Sequence, residues 1–94
     1  MQAWTAAAHL TWTRFDDSDD WVVYNPVAAD VHLLTDAARR LFELASTEKS
    51  LSPESLAAEL ASMLERPLDQ QLLAVTRDTL GFMERVGLLR PAGR

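Results

Sequence analysis

The chain contains no cysteine, and this absence excludes several kinds of chemistry at once. Disulfide bonds, thiol nucleophiles, covalently attached haem and thiolate metal sites all require that residue. Because no disulfide framework is needed, the composition favours a reducing cytoplasm. Glycine is also scarce, with three residues that all lie at or beyond Gly81. A phosphate-binding loop needs closely spaced glycines between a strand and a helix, and the sequence offers none.

Positive charge and long apolar runs are in short supply as well. Nine Lys and Arg residues face 14 Asp and Glu residues, which gives a net charge of −5. An acidic chain with scattered cations is a poor match for a phosphate backbone, so we expect no nucleic-acid partner. No segment approaches about 18 consecutive apolar residues, and Met1–Thr13 lacks the features of a signal peptide. We therefore expect no membrane partner and no export signal.

Length and composition predict one domain that spans residues 1–94, with its core over about residues 9–90. The chain has 94 residues, of which 48% are hydrophobic and 24% are charged, as in ordinary globular domains. A chain of this length buries too little surface to enclose a deep active site. The sequence thus favours a binding module over an enzyme.

The residues that carry chemistry do not form a convincing catalytic or metal site. The best local set of metal ligands is Asp30, His32 and Asp36, which no motif elsewhere completes. The acidic run Asp16–Asp20 lacks the glycine and the distal glutamate of a calcium loop. No serine lies in a Gly-rich turn of the kind that activates a nucleophile. We therefore expect no enzyme activity, no metal and no cofactor.

Three short strands are predicted in the first third of the chain. Leu10–Thr13 alternates apolar and polar residues, Trp21–Tyr24 is β-branched and aromatic, and Val31–Leu34 is largely apolar. The links between them are short, which favours an antiparallel meander, because parallel strands need long crossovers. The Trp21–Tyr24 strand is predicted to be central and covered on both faces.

Three helices are predicted in the rest of the chain. Thr35 is the expected N-cap of the first helix, whose pattern breaks at Thr47–Ser50, and Ser52 before a proline starts the second. The third helix is the longest, over about Pro67–Val86, and Gly87 is expected to end it. On a helical wheel, one broad face carries Leu68, Leu72, Val75, Thr76, Thr79, Met83 and Val86, and a flank beside it carries Leu73, Arg77, Leu80 and Glu84. The order predicts an α+β fold in which a three-stranded antiparallel sheet precedes three helices, in a winged-helix-like arrangement.

Two kinds of binding fit this arrangement. Gln70 and Gln71 could read DNA bases from the third helix, but Asp69 would repel phosphate and no Arg or Lys follows until Arg77. Strand addition is the other kind, because Val31–Leu34 is a short apolar strand at a predicted sheet edge. A helix or a second copy of the chain could cover the same edge, so a structural homodimer is a third option.

The motifs in this region resemble a known family. The segments Trp21–Pro26 and Val31–Thr35, together with Ala38 and the closing Leu80–Leu89, look like the PqqD family of small peptide chaperones. These proteins are also described as RiPP recognition elements. The subgroup associated with HPr-kinase-related systems is the most similar. The resemblance extends over about residues 9–90.

The resemblance implies peptide binding without catalysis. It implies that a leader segment of a precursor peptide is added as a strand to the third strand, beside the third helix, and is presented to a modifying or kinase-like enzyme. The implied edge residues are Asp30, Val31, His32, Leu33 and Leu34, and the implied wall residues are Leu73, Thr76, Arg77, Leu80 and Glu84. Arg77 is implied to pair with an acidic leader side chain. The opposite flank, with Val75, Asp78 and Phe82, stays open, as does the choice between monomer and homodimer.

Overall fold

The computed structural model describes residues 4–47 and 52–91. The elements in chain order are β1 (Trp4–Ala6), β2 (Thr11–Arg14), β3 (Trp21–Asn25), β4 (Asp30–Leu34), α1 (Asp36–Thr47), α2 (Pro53–Met63), α3 (Gln70–Arg85) and β5 (Leu89–Pro91). The three predicted strands correspond to β2, β3 and β4, and the three predicted helices follow them. The α+β fold class is therefore confirmed.

The main sheet is an antiparallel meander in the order β2-β3-β4. β3 is central, as predicted, but it is covered on one face only. Val23 and Asn25 are buried on the inner face, whereas 42% of Tyr24 is exposed on the other. The prediction of two covered faces was wrong because the helices pack on the inner face, which an antiparallel sheet permits.

A second, two-stranded sheet is formed by the two ends of the described chain. β1 pairs with β5 in antiparallel register, and Trp4 lies opposite Pro91 and Ala6 opposite Leu89. The sequence predicted an extended tail at 88–91 but no strand at its partner. A strand of three residues is too short to show a period, and its partner is far away in sequence.

The first two helices begin at the predicted caps. The Thr35 hydroxyl accepts a hydrogen bond from the Ala38 amide at 3.1 Å, and the Ser52 hydroxyl accepts one from the Ser55 amide at 3.1 Å. Each bond satisfies a helix N–H that has no partner within its own helix. α1 ends at Thr47, and the rest of the predicted break lies outside the described residues.

The third helix begins three residues later than predicted. It starts at Gln70, after Asp69, whose carboxylate accepts a hydrogen bond from the Leu72 amide at 2.8 Å. An N-cap aspartate also interacts favourably with the positive end of the helix dipole. Pro67 therefore lies in the loop before the helix rather than in its first turn.

The end of α3 is as predicted. Gly87 has a φ of 83°, a conformation that side chains with a Cβ rarely adopt. The Leu88 amide donates to the Met83 carbonyl oxygen at 2.8 Å, and the Gly87 amide donates to the Glu84 carbonyl oxygen at 3.2 Å. This pair of bonds is a Schellman motif, and it turns the chain into β5. Leu88 and Leu89 are then fully buried in the core.

The buried side chains of α3 come from the broad wheel face and from the flank beside it. Val75 of the broad face is about half exposed, as is Leu68, which precedes the helix. A helical wheel with apolar residues on several sides cannot show which side meets the core. The buried side chains of the helix are those of Leu72, Thr76, Leu80 and Met83.

Among the described residues, no helix combines the length and the apolarity needed to cross a bilayer.

Stacked arginine and tryptophan side chains join the sheet to α1. The Arg39 guanidinium lies 3.9 Å from the centre of the Trp21 ring and 4.9 Å from that of Trp12. Arg14 approaches the Trp21 ring to 4.4 Å. Trp12 also contacts Phe42 of α1, with the ring centres 4.9 Å apart. We call the four residues Arg14, Arg39, Trp12 and Trp21 the Arg–Trp stack.

Asp36 ties the Arg–Trp stack to the start of α1. Its carboxylate accepts hydrogen bonds from the Trp21 indole at 3.0 Å and from the Arg40 guanidinium at 2.9 Å. The Trp21 hydrogen bond lowers the pKa of the Asp36 carboxyl below its ordinary value. Burial opposes this effect, and the Arg40 guanidinium reinforces it. The folded protein therefore favours the charged form of this side chain.

Thr76→Val is expected to stabilise the protein. Thr76 is fully buried, and its hydroxyl has no hydrogen-bond partner among the described residues. Leaving such a group unpaired costs about 1–3 kcal/mol, and valine has nearly the same shape. We expect the free energy of unfolding in urea to rise by about 1 kcal/mol. Thr76→Ser, which keeps the hydroxyl and removes the methyl group, should lower it. A loss of stability in Thr76→Val would contradict this expectation.

Asp36→Asn is expected to lower stability at neutral pH and to have less effect in acid. The folded-state pKa of Asp36 is lowered, so its contribution is fully present above the unfolded pKa and is lost as the pH falls below about 4. We expect a loss of about 1 kcal/mol at pH 7, because a charged hydrogen bond is weakened. Urea titrations between pH 7 and pH 3 measure the difference. Asp17→Asn in the exposed β2–β3 loop is the control, and an equal loss at both pH values would refute the assignment.

Candidate binding groove at the edge of the sheet

β4 is an edge strand whose pairing is known on one side. Among residues 4–47 and 52–91, β4 pairs with β3 and with no other strand. An edge strand presents main-chain N–H and C=O groups on its unpaired side. The position of those groups can be deduced from the hydrogen bonds of the neighbouring strands.

A hydrogen bond between β2 and β3 shows which residues of β3 point their main-chain groups at β2 and which point them at β4. Bonded and non-bonded residue pairs alternate along an antiparallel ladder. The Phe15 amide donates to the Asp20 carbonyl oxygen at 2.9 Å, one step beyond the last residue pair of these two strands. Counting from this bond, Val22 and Tyr24 direct their main-chain groups at β2. Val23, which lies between them, directs its groups at β4.

The free main-chain groups of β4 therefore belong to Val31 and Leu33. His32 is the register partner of Val23, so its N–H and C=O are used in the bond to β3. The residues on either side of His32 point their main-chain groups the other way. An extended peptide that approached this edge would bond to Val31 and Leu33.

A groove lies beside this edge, between β4, α1 and α3. Its volume is about 300 Å³, the lower end of the range for small ligand sites. Six of its seven lining residues are apolar or threonine, and we call it the β4–α3 groove. The lining residues are Leu33, Leu34, Thr35, Ala38, Asp78, Thr79 and Phe82.

α3 meets β4 at an aromatic contact beside the groove. The His32 ring meets the Phe82 ring edge to face, with the ring centres 5.8 Å apart. Asp78, one helical turn before Phe82, lines the same groove, as does Thr35, which directly follows β4. Of the described residues that line the groove, Asp78 is the one that carries a charge. The lining thus combines the aromatic ring of Phe82 with the carboxylate of Asp78.

The flank of α3 that was expected to wall the groove faces elsewhere. Arg77 forms an ion pair and a hydrogen bond with Glu54, at the start of α2. Thr76 and Leu80 are buried in the core, so neither offers a surface to a ligand. The wheel position of Arg77 is shared by Leu73, which is half-buried, and by Glu84, which is exposed.

The opposite flank of α3 forms the wall instead. Asp78 and Phe82 line the groove, whereas Val75 from the same flank is exposed outside it. The structure thus places the opposite flank, which the helical wheel left open, beside the groove, and Arg77 does not line it. The reason is that α2 packs against the Arg77 side of α3 and leaves the Asp78 side open. Sequence periodicity does not show which side α2 takes.

The expected edge residues are brought together along β4. Asp30, His32 and Leu34 face the inner side of the sheet, and Leu34 is buried there. Val31 and Leu33 face outward, and 63% and 56% of them are exposed. Together with Tyr24 of β3 they form an exposed apolar surface next to the free edge. A strand added to β4 would place alternate side chains on the two faces of the sheet. One set would extend the exposed apolar surface, and the other set would enter the β4–α3 groove.

Sequence reasoning missed the contribution of the α1 segment to the groove. Thr35 and Ala38 line it, as does Thr79 of α3. The small side chain of Ala38 leaves room between the helix and the edge strand. Ala38 lies in the first turn of a helix that directly follows an edge strand, and such a helix starts beside the strand. This position is the one signal in the sequence that could have indicated the role of Ala38.

The residues weighed as metal ligands do not converge in the structure. The Asp36 carboxylate is held by Trp21 and Arg40, and the Asp30 carboxylate lies 4.0 Å from His32 Nε2. Within the part of the chain that the structure describes, no group of three or more potential metal ligands comes together. The β4–α3 groove and the free edge are thus the candidate site.

Comparison with known proteins adds no family or relative. No protein-family model, no curated protein and no solved structure matches this chain. The similarity to the PqqD family therefore stays a prediction that depends on the motif residues alone. The geometry of the β4 edge and of the β4–α3 groove is the basis for assigning a function.

Proposed function

We propose that the protein binds an extended peptide segment by strand addition to β4 and presents it to a modifying enzyme, without catalysing a reaction itself. The observation that carries the proposal is the position of the free main-chain groups of Val31 and Leu33 beside the β4–α3 groove. Main-chain hydrogen bonds supply affinity in this mode of binding, and a neighbouring pocket supplies specificity.

The chemistry of the site supports a peptide over a nucleic acid. The cation nearest the middle of α3, Arg77, is paired with Glu54, and the helix begins at the acidic cap Asp69. A phosphate backbone would meet carboxylates at both places. The resemblance to peptide chaperones suggests the leader segment of a precursor peptide as the ligand, a kinase-like or other modifying enzyme as the partner, and the cytoplasm as the compartment.

Val31→Pro and Leu33→Pro are expected to weaken peptide binding and to preserve the fold. Each removes one outward N–H, and proline is tolerated on edge strands where that N–H has no ladder partner. The probe is a peptide selected from a library of short random peptides on the immobilised protein. We expect its affinity, measured by calorimetry, to fall roughly tenfold for the loss of one main-chain hydrogen bond and of close approach. Val31→Thr, which keeps the N–H, is the matched control.

A scan on the peptide side tests the same proposal with the protein unaltered. Single N-methyl groups are placed at successive amides of the selected peptide. Strand addition predicts an alternating profile, because every second amide faces β4. Amide NMR shifts at Val31 and Leu33 should accompany binding. Equal affinity for all N-methylated peptides would rule out strand addition, as would a complex in which no amide shift lies on β4. A dimer in sedimentation that pairs through β4 and excludes the peptide would rule it out as well.

A further inference from the structure

The β4–α3 groove has a carboxylate that the fold does not use. Asp78 is exposed, and among residues 4–47 and 52–91 it pairs with no cation. It is the charged residue of the groove lining, which also includes Thr35 directly after β4. Leu34, Ala38 and Phe82 line the same groove with apolar side chains.

None of the described arginines lines the β4–α3 groove. Arg77 pairs with Glu54, and Arg40 pairs with Asp36. Arg85 lies at the C-terminal end of α3, 6.0 Å from the centre of the Phe82 ring. An acidic ligand side chain in the groove would therefore meet the Asp78 carboxylate without a guanidinium from the groove lining to balance it. A like charge at that position opposes binding.

We propose that the segment bound in the β4–α3 groove carries a lysine or arginine that pairs with Asp78, beside an apolar side chain that fills the groove. This inference rests on the proposed function and specifies the ligand of the same site. It reverses the acidic ligand that Arg77 was implied to select. The net charge of −5 on the chain acts in the same direction, because it attracts a basic segment at long range.

The shape of the groove suits a lysine or arginine side chain. Both have a long apolar stem and a charged head that stays in water. The stem can lie against Phe82 and Ala38 while the head reaches the Asp78 carboxylate at the exposed rim. The neighbouring inward-facing residue of the added strand lies two positions away, because side chains alternate between the two faces. The ligand signature is therefore a basic residue and an apolar residue separated by one position.

Selections with two proteins test the signature. A library of short random peptides is selected in parallel on the wild-type protein and on Asp78→Asn. Wild-type selections should be enriched in Lys or Arg at a fixed distance of two positions from an apolar residue. Selections on Asp78→Asn should keep the apolar residue and lose the basic one. Glu59→Gln removes an exposed carboxylate on α2 outside the groove, and its selections should match those of the wild type.

A charge swap on a selected peptide tests the pairing itself. Asp78→Asn should weaken binding of the basic peptide about two- to fivefold, as for a single exposed ion pair. Asp78→Lys should weaken it further, and should bind the Lys→Glu version of the same peptide more tightly than the wild-type protein does. Such a crossed preference measures a direct coupling between the two side chains.

The outcomes separate this inference from the proposed function. Peptides that shift the Val31 and Leu33 amides but show no basic preference, or that bind Asp78→Asn and Asp78→Lys as tightly as the wild type, would overturn the inference and leave strand addition intact. Selections that yield no peptide shifting β4 would overturn both. Loss of the basic preference in Glu59→Gln as well would show an effect of net charge and would also overturn the pairing with Asp78.

Discussion

The stacking of Arg39 on Trp12 and Trp21 is the interaction on which the position of the sheet depends. One side chain of α1 meets an indole from each of β2 and β3, and so fixes two strands to one helix. β4 is bonded to β3 and takes its place from that strand. The stack lies on the inner face of the sheet, toward β2, and it positions β4 through β3. A change in the Arg–Trp stack would therefore shift β3 and, with it, the β4 side of the groove.

The use of arginines in structural contacts explains the composition of the groove lining. Arginines that could have served a ligand are used in structural contacts, in the Arg–Trp stack and in the pair between Arg77 and Glu54. The lining of the β4–α3 groove is left with apolar and threonine side chains and one carboxylate. An arginine that is held in a structural contact does not serve to bind a ligand. In an acidic chain of this size, the structural use of cations therefore limits which ligands the groove selects.

The parts of the fold that sequence reasoning recovered are those with local signals. The strands of the meander show as alternating or β-branched runs, and Thr35, Ser52 and Gly87 mark helix ends by their own chemistry. β1 carries no such signal, because its pairing with β5 depends on residues at the other end of the chain. The edge of the candidate site was predictable from β4 alone. Its wall was not, because the choice between Arg77 and Asp78 depends on where α2 packs.

The pairing of β1 with β5 has a consequence for how such a domain can be built into larger chains. Trp4 and Pro91 are register partners, so the two points where the described polypeptide enters and leaves the domain are neighbours in space. A fold of this kind can be inserted into a loop of a host protein without stretching the host. It also suits circular permutation, in which a short linker joins the old ends and new ends are opened in a surface loop.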